Sequence, residues 1–349
     1  MEADEIIGEI SYHDVQEMVD QMLGTKSFSF TEYLSDLVQG EVPFSSMDIL
    51  QDIFQGVIGN LAQERRLYLS LILIAVVGAV LSNFSKLLQG KQVAETAFYA
   101  LYLLFFSIMM SLFVQTSQIA EQTLTKLLDF MKVLTPAYFI TMGFTESAMA
   151  AGAYYEFTLV LIMLVDAVLV KFAIPAIQIF FLLRIADQFS GREMFSKMAE
   201  LIQDVVNFVM KTMFGLMMGF NVIQGLILPV ALKLKTSSVV KLSSAILGVG
   251  SVVSSVTSTV LCAGTLVKNA VGITGVIVVV FFCGVPLLRL VLSRFLFQLV
   301  GAIVQPVSDN RIVACFSAAK DSIKMLAYAL SVGSMMFVIT ITLISAMTG

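Results

Sequence analysis

Beyond residue 66 the chain is a succession of apolar runs, each close to the length of a bilayer crossing, and this limits what it can fold into more than any motif does. A spanning helix needs about 20 mostly apolar residues at about 1.5 Å each. Leu67–Phe84, Ala97–Val114, Phe157–Leu183, Met213–Leu228, the run around Pro286 and Met325–Met347 all qualify or come near. In lipid every backbone N–H and C=O must be satisfied within the segment, so such runs are helices. The composition agrees: 58% of residues are hydrophobic and 13% charged, against about 45–50% and about 25% in soluble domains. The expected fold class is therefore all-α: a polytopic helical membrane protein with about six to eight transmembrane or half-membrane helices. An ordinary soluble enzyme and a nucleic-acid-binding chain are excluded.

Charge divides the chain into two regions. Residues 1–66 carry 13 of the 25 acidic residues and only Lys26, Arg65 and Arg66 of the 21 basic ones, a net of −10. Residues 67–349 carry the other 12 acids and 18 bases, a net of +6. The expected organisation is an acidic, mostly helical extramembrane segment over 1–66 and a helical membrane domain over 67–349. Val15, Met18, Val19, Met22 and Leu23 recur at helical spacing, which gives one apolar face, and Gly24 follows as a stop. A second amphipathic stretch runs over about 46–61. This region is either a small helical cap on the membrane body or a docking surface for a partner. Met1-Glu-Ala-Asp-Glu lacks the basic and apolar regions of a signal peptide. The segment thus either stays cytoplasmic or follows a leader that has been removed.

Prolines punctuate the membrane domain. Pro136 is expected to stop or kink the amphipathic helix over 118–134. The apolar, small-residue stretch Pro136–Ala153 then reads as a re-entrant or half helix. Pro175 and Pro286 interrupt long spans, and Pro306 ends one. After the Pro175 span, Ser190 and Glu193 fit a capping box. There follows an amphipathic helix with Phe195, Met198, Leu201, Ile202, Val205 and Val209 on one face, and then an apolar span. The C-terminal part repeats this plan through Ser308-Asp-Asn-Arg311, which points to an internal duplication with halves at about 157–230 and 269–349. Chance likeness of apolar segments is the competing explanation.

Small residues let helices approach closely in lipid, so Gly215-x-x-x-Gly219, and Gly272 and Gly275 further on, are candidate close-packing positions. The hydroxyl-rich stretch 236–275 offers the alternative of a polar cavity wall. A charge at bilayer mid-depth costs about 2.5–3.5 kcal/mol on insertion scales. Asp166, Lys171, Lys268, Asn269, Arg289 and Arg294 are therefore candidates either for a polar path or for helix–helix contacts. Asp166 and Lys171 stand five apart, about 140° on a straight α-helix, a poor pair. Arg184 and Asp187 sit near a span end, where they can snorkel.

Enzyme chemistry finds little footing. The single histidine, His13, lies outside the apolar region, and Cys262, Cys283 and Cys315 read as small buried hydrophobes. There is no Walker A loop, G-x-S-x-G or H-E-x-x-H. No catalytic, cofactor or metal residue is assigned.

Several blocks resemble the stage III sporulation protein AE family of endospore-forming bacteria. The most telling are Leu266-Val-Lys-Asn-Ala-Val-Gly-Ile-Thr-Gly275 and Ala302-Ile-Val-Gln-Pro-Val-Ser-Asp-Asn-Arg-Ile-Val313, with support from Leu134-Thr-Pro136 and Ala186-Asp-Gln-Phe189. The resemblance covers most of the chain from about residue 60. It implies a non-enzymatic component of a sporulation-specific transenvelope secretion or channel complex, an export gate or conduit in the mother-cell membrane around the forespore. It also implies partners: the lipid bilayer, sister stage III A proteins (an ATPase-like subunit and ring-forming subunits) and the forespore stage II protein Q. Self-association is left open, and nucleic acid is not expected. An independent ion-coupled transporter using Asp166 or Lys171 and a scaffold without a pore are the competing functions.

Overall fold

The computed structural model describes residues 12–23, 28–40, 91–143, 148–190, 194–243, 250–306 and 308–347, together with Ile7 and short helical pieces between 69 and 77. The helices are α1 (His13–Leu23), α2 (Phe30–Gln39), α3 (Lys91–Gly143), α4 (Ala148–Val165), a π-helical segment (Asp166–Ala173), α5 (Ile174–Ser190), α6 (Ser196–Ser243), α7 (Gly250–Val304) and α8 (Asn310–Met347). The protein is an all-α polytopic membrane protein, and five of its described helical stretches are long and apolar enough to cross a bilayer. Most of the expected span Leu67–Phe84, the amphipathic stretch 46–61 and the capping pair Ser190/Glu193 lie outside the described residues or side chains.

The membrane helices run alternately along one bundle. Tyr102 and Phe105 of α3 meet Cys315 and Phe316 near the start of α8, and Leu124 of α3 meets Gly333 further along, so α3 and α8 are parallel. α4, the π segment and α5 return antiparallel to α3, with Tyr155 against Phe139 and Phe181 stacked on Phe113 at 3.8 Å. α7 runs antiparallel to α8, with Gly301 against Phe316 and Gly272 against Ser345. α6 packs on α5 and α8, and Phe220 stacks on Phe157 of α4 at 4.4 Å.

α8 is the central strut, and its sequence explains why. Ala318, Ala319, Ala329 and Gly333 let neighbours close in, while Phe316, Leu326, Leu330, Met336 and Phe337 fill the space between. Buried hydroxyls turn back onto their own helices: Ser322 donates to the Ala318 carbonyl, Thr340 to Met336, and Thr274 to Ala270. This satisfies them without a polar cavity.

Pro136 does not break its helix. α3 continues for 53 residues through it to Gly143. The expected span 97–114, the amphipathic segment and the first part of the supposed half helix are thus one rod about 80 Å long. A bilayer core is about 30 Å thick, so part of this helix must project beyond it. Pro136 faces outward, while Leu134, Ala137 and Tyr138 on the inner side are buried and clamp the helix. The Thr135 hydroxyl bonds the Met131 carbonyl in the same turn. Neighbouring packing is what lets this helix carry its proline, since the Met131 carbonyl is not the Lys132 carbonyl that Pro136 leaves without its N–H.

Pro175 acts differently. It has no N–H to give the carbonyl four residues back. The preceding eight residues adopt π-helical geometry, and Ile174 N–H, the last donor before the proline, bonds Leu169 O five residues back. Pro286 lies within α7, and Pro306 follows the end of that helix at Val304.

The described part of the acidic segment, residues 12–23 and 28–40, packs on the helical bundle. The apolar face of α1 is buried through Val15, Val19 and Met22, and α1 packs on α3 while α2 packs on α7. Tyr12 Oη lies 3.3 Å from Thr141 Oγ1, and Lys126 Nζ donates to Gln21 O at 3.2 Å. Ser29 caps α2 by accepting from Glu32 N–H, and Gly40 closes it at φ 80°. Gln16 joins the two helices, accepting from Phe30 N–H and donating to Phe28 O.

Candidate functional site

Asp166 and Lys171 form an ion pair at 2.5 Å, contrary to the straight-helix expectation. The π-helical segment is the reason. Bonding from i to i+5 widens each turn and brings residues five apart nearly one above the other. The pair sits on the outer surface, with the lysine side chain 71% exposed. On the opposite side of the same segment, Leu169 is buried and touches Gly333 of α8.

Lys268, Asn269, Gly272 and Gly275 come together at one junction of α3, α7 and α8. Lys268 is fully buried. Asn269 Oδ1 accepts from Ser345 Oγ of α8 at 3.2 Å. A Cβ on Gly272 would stand 3.0–3.1 Å from Ser345 and 3.5 Å from Tyr138. One on Gly275 would stand 2.9 Å from Leu134. These two glycines therefore sit where three helices touch. Beside them is a cavity of about 20 Å³ lined by Thr135, Tyr138, Thr158, Thr340 and Ile341.

Arg289 and Arg294 are away from this junction, about 20 Å and about 30 Å down α7 from Gly275 at about 1.5 Å per residue. Both are half-buried and flank Ser293, which is buried. Arg294 Nε and Ser293 Oγ make no hydrogen bond to described residues. A wider apolar groove of about 490 Å³ opens between α3 and α5, lined by Tyr102, Phe106, Leu182, Ile185 and Phe195 among others. The six candidate charged and polar residues thus fall into three separate places and do not converge on one path.

Gly215 and Gly219 have open space around them: a Cβ added at either would meet no atom within 4 Å. Among the described residues nothing packs closely on them. Gly301 and Gly333 are close-packing positions although neither is part of a Gly-x-x-x-Gly pair: Phe316 would lie 3.1 Å and Leu124 2.6 Å from their added Cβ atoms. Ala329-x-x-x-Gly333 is a small-residue spacing that could have marked Gly333, whereas only the register of α7 against α8 reveals Gly301.

Asp187 does not snorkel. It is buried, and its Oδ1 accepts from Phe195 N–H at 2.9 Å, just ahead of α6. Asp309 does the same work before α8, where its Oδ1 accepts from Arg311 N–H at 2.9 Å. An acid thus satisfies a free N–H at the start of each of these two long helices. Arg184 lies over the Phe180 ring at 6.0 Å. Among the described residues no three His, Cys, Asp or Glu side chains gather as a metal site. Cys262 is exposed, and Cys283 and Cys315 are buried, all as free thiols.

Comparison with known proteins gives this bundle a family. Stage III sporulation protein AE of Bacillus subtilis (strain 168) is 21% identical over 277 residues, which span 79% of this chain and 69% of that protein. No solved structure matches. The family model described as stage III sporulation protein AE matches residues 28–348, covering α2 through α8, the Lys268–Gly275 junction and both acid-capped helix starts. The chain belongs to the stage III sporulation protein AE family.

Proposed function

We propose that this chain is a non-enzymatic membrane subunit of a multiprotein sporulation assembly in the mother-cell membrane around the forespore. Its partners are sister stage III A proteins, an ATPase-like subunit and ring-forming subunits among them, and the forespore stage II protein Q. In this reading any export gate or conduit forms between subunits. The energy comes from the ATPase-like partner.

One observation supports this over an independent ion-coupled transporter. The charges such a transporter would bring to a shared central site are dispersed: Asp166 and Lys171 neutralise each other on the outside, while Lys268 is sealed at a helix junction. A coupling ion bound at mid-membrane needs convergent polar groups. The acidic cap, folded onto the bundle with its charged residues outward, offers a rigid surface to a partner on one side of the membrane.

The test is purification of the tagged chain from sporulating cells in mild detergent. Stable recovery with the ATPase-like and ring-forming proteins is the expected result. Ion-gradient-driven uptake by the chain alone in liposomes would overturn the proposal. Charge reversal at Lys268 or Arg289 that leaves sporulation and assembly normal would remove those residues from any polar path.

A further inference from the structure

One extended surface that the described bundle does not use is the outward face of α6 and the residues leading into it. Met194, Met198, Leu201, Val205, Phe208, Thr212, Gly215, Gly219 and Val222 follow one another at alternating spacings of three and four. Every one of them is exposed, Leu201 at 63% and Phe208 at 69%. The inner face is a different set, Ala199, Val206, Met210, Met213 and Met217, buried against the bundle. An alternation of three and four is the spacing of a two-helix seam, in which each residue inserts between those of a partner helix.

Lipid alone does not account for this face. Its first half shares the helix with Lys197, Glu200, Asp204 and Lys211, all exposed. Four charges in so short a stretch keep it out of the hydrocarbon. Large apolar side chains there would lie in water unless something covers them. The seam then continues in phase into the apolar half of the helix, where it becomes Thr212, Gly215, Gly219 and Val222. The covering element must therefore also be a helix that is amphipathic first and membrane-embedded afterwards, with its change of character at the same height.

We infer that the outward face of α6 is the interface between two copies of this chain, with the two α6 helices parallel and in register. A second copy meets the requirement by construction. Two copies in one membrane share their orientation, so a two-fold axis along the membrane normal sets like residues opposite each other. Gly215 and Gly219 then meet their counterparts at the crossing, where the missing side chains allow backbone contact. Lys197, Asp204 and Lys211 flank the seam and face the apolar Ile202, Val209 and Leu216 of the other copy, so no like charges are opposed. The strip is about 42 Å long and about 10 Å wide, which gives on the order of 800 Å² buried in total, below the about 1,200 Å² of stable soluble complexes. The pair is weak on its own and depends on shared orientation in the bilayer. This inference is independent of which other proteins the chain assembles with.

Single cysteines in native membranes test it, in a full-length chain carrying Cys262→Ala so that only the buried Cys283 and Cys315 remain. A short bis-maleimide is expected to give a dimer-sized product from Leu201→Cys, Phe208→Cys and Gly215→Cys, and none from Glu200→Cys or Asn207→Cys on the adjoining face. Adding Gly219→Ile is expected to abolish the Phe208→Cys product while leaving the chain folded, because a Cβ at that position meets no described atom within 4 Å. No product at any seam position means that lipid or another segment of the same chain covers the face. Equal product at Glu200→Cys means random collision, and an adduct of another mass means a foreign helix. Each of these outcomes overturns the inference.

Discussion

Two glycine pairs on successive helices, both candidates for close packing in the sequence, sit in opposite surroundings. Gly272 and Gly275 of α7 lie where α3, α7 and α8 converge, and added side chains would run into Ser345 and Leu134. Gly215 and Gly219 of α6 face outward into open space. Both are small-residue pairs within one helical turn, four apart in α6 and three apart in α7, and such pairs mark only where a helix is able to be approached. Whether the approaching helix belongs to the same chain depends on the neighbours. In α7 those are the small residues and hydroxyls of α8, the most buried strut of the bundle. On the outer side of α6 there are none among the described residues.

The sharpest way to break this contrast is to fill the inner pair. Gly272→Val is expected to destabilise the folded protein by about 3 kcal/mol, the upper end of overpacking costs, because the obstructing Cβ of Ser345 is fixed to its backbone and cannot swing aside. A thermal or denaturant unfolding series in detergent reads this. Gly272→Ala is expected to lose less, since it adds only the first carbon. If both variants match the parent, the junction is looser than its contacts say.

A smaller effect is expected at Asp187, a residue that reads as surface in the sequence and is buried in the fold. Asp187→Ala removes the acceptor of the Phe195 N–H and is expected to cost about 1 kcal/mol, as lost N-terminal caps do. Asp187→Asn keeps an acceptor and is expected to recover most of it. Should the loss be equal in both, negative charge at the helix start matters more than the hydrogen bond.

These two sites also show what the sequence carries and what it does not. Hydropathy alone marks the spans, because lipid imposes a length and a polarity that no local detail can override. The apolar face of α1 is equally legible from its spacing. Pro136 misleads because the rule that proline stops a helix describes an isolated helix, whereas here Leu134, Ala137 and Tyr138 are held by other helices. Asp166 and Lys171 mislead because their 140° separation holds only at 3.6 residues per turn, and Pro175 imposes a wider turn just before it. Asp187 reaches a donor eight residues on, across a turn whose course no periodicity gives.

The Asp166–Lys171 pair supplies the next prediction, smaller again. The lysine is mostly exposed, so either single neutralisation is expected to change stability by under about 1 kcal/mol in detergent solution. Asp166→Asn with Lys171→Gln is expected to be no worse than either alone. A loss in the double variant much larger than in the singles would give the pair a structural role that its exposure does not suggest. On the outer glycines, Gly215→Ala and Gly219→Ala are expected to be neutral or to stabilise the monomer by up to about 1 kcal/mol through helix propensity. Their cost falls only on the cross-linked dimer.

The acidic cap provides the last contrast, between a face sealed by apolar packing and one that carries a titratable group into the seal. Burial raises the Tyr12 phenol above its ordinary value of 10.0, an effect only partly offset by the hydrogen bond with Thr141. The folded state therefore favours the neutral phenol more than the unfolded segment does. The contribution of Tyr12 to docking is complete below pH 10 and is lost as pH rises through the elevated folded value. At neutral pH no effect is expected. In alkaline solution α1 is expected to lift from α3, which limited proteolysis between residues 12 and 40 would detect. Tyr12→Phe removes the ionisable group while keeping the ring against Phe30, so it is expected to keep the cap docked to higher pH. If the parent and Tyr12→Phe release the cap together, the alkaline event belongs to another group, and the seal over α3 rests on Val15, Val19 and Met22 together with the Lys126–Gln21 hydrogen bond.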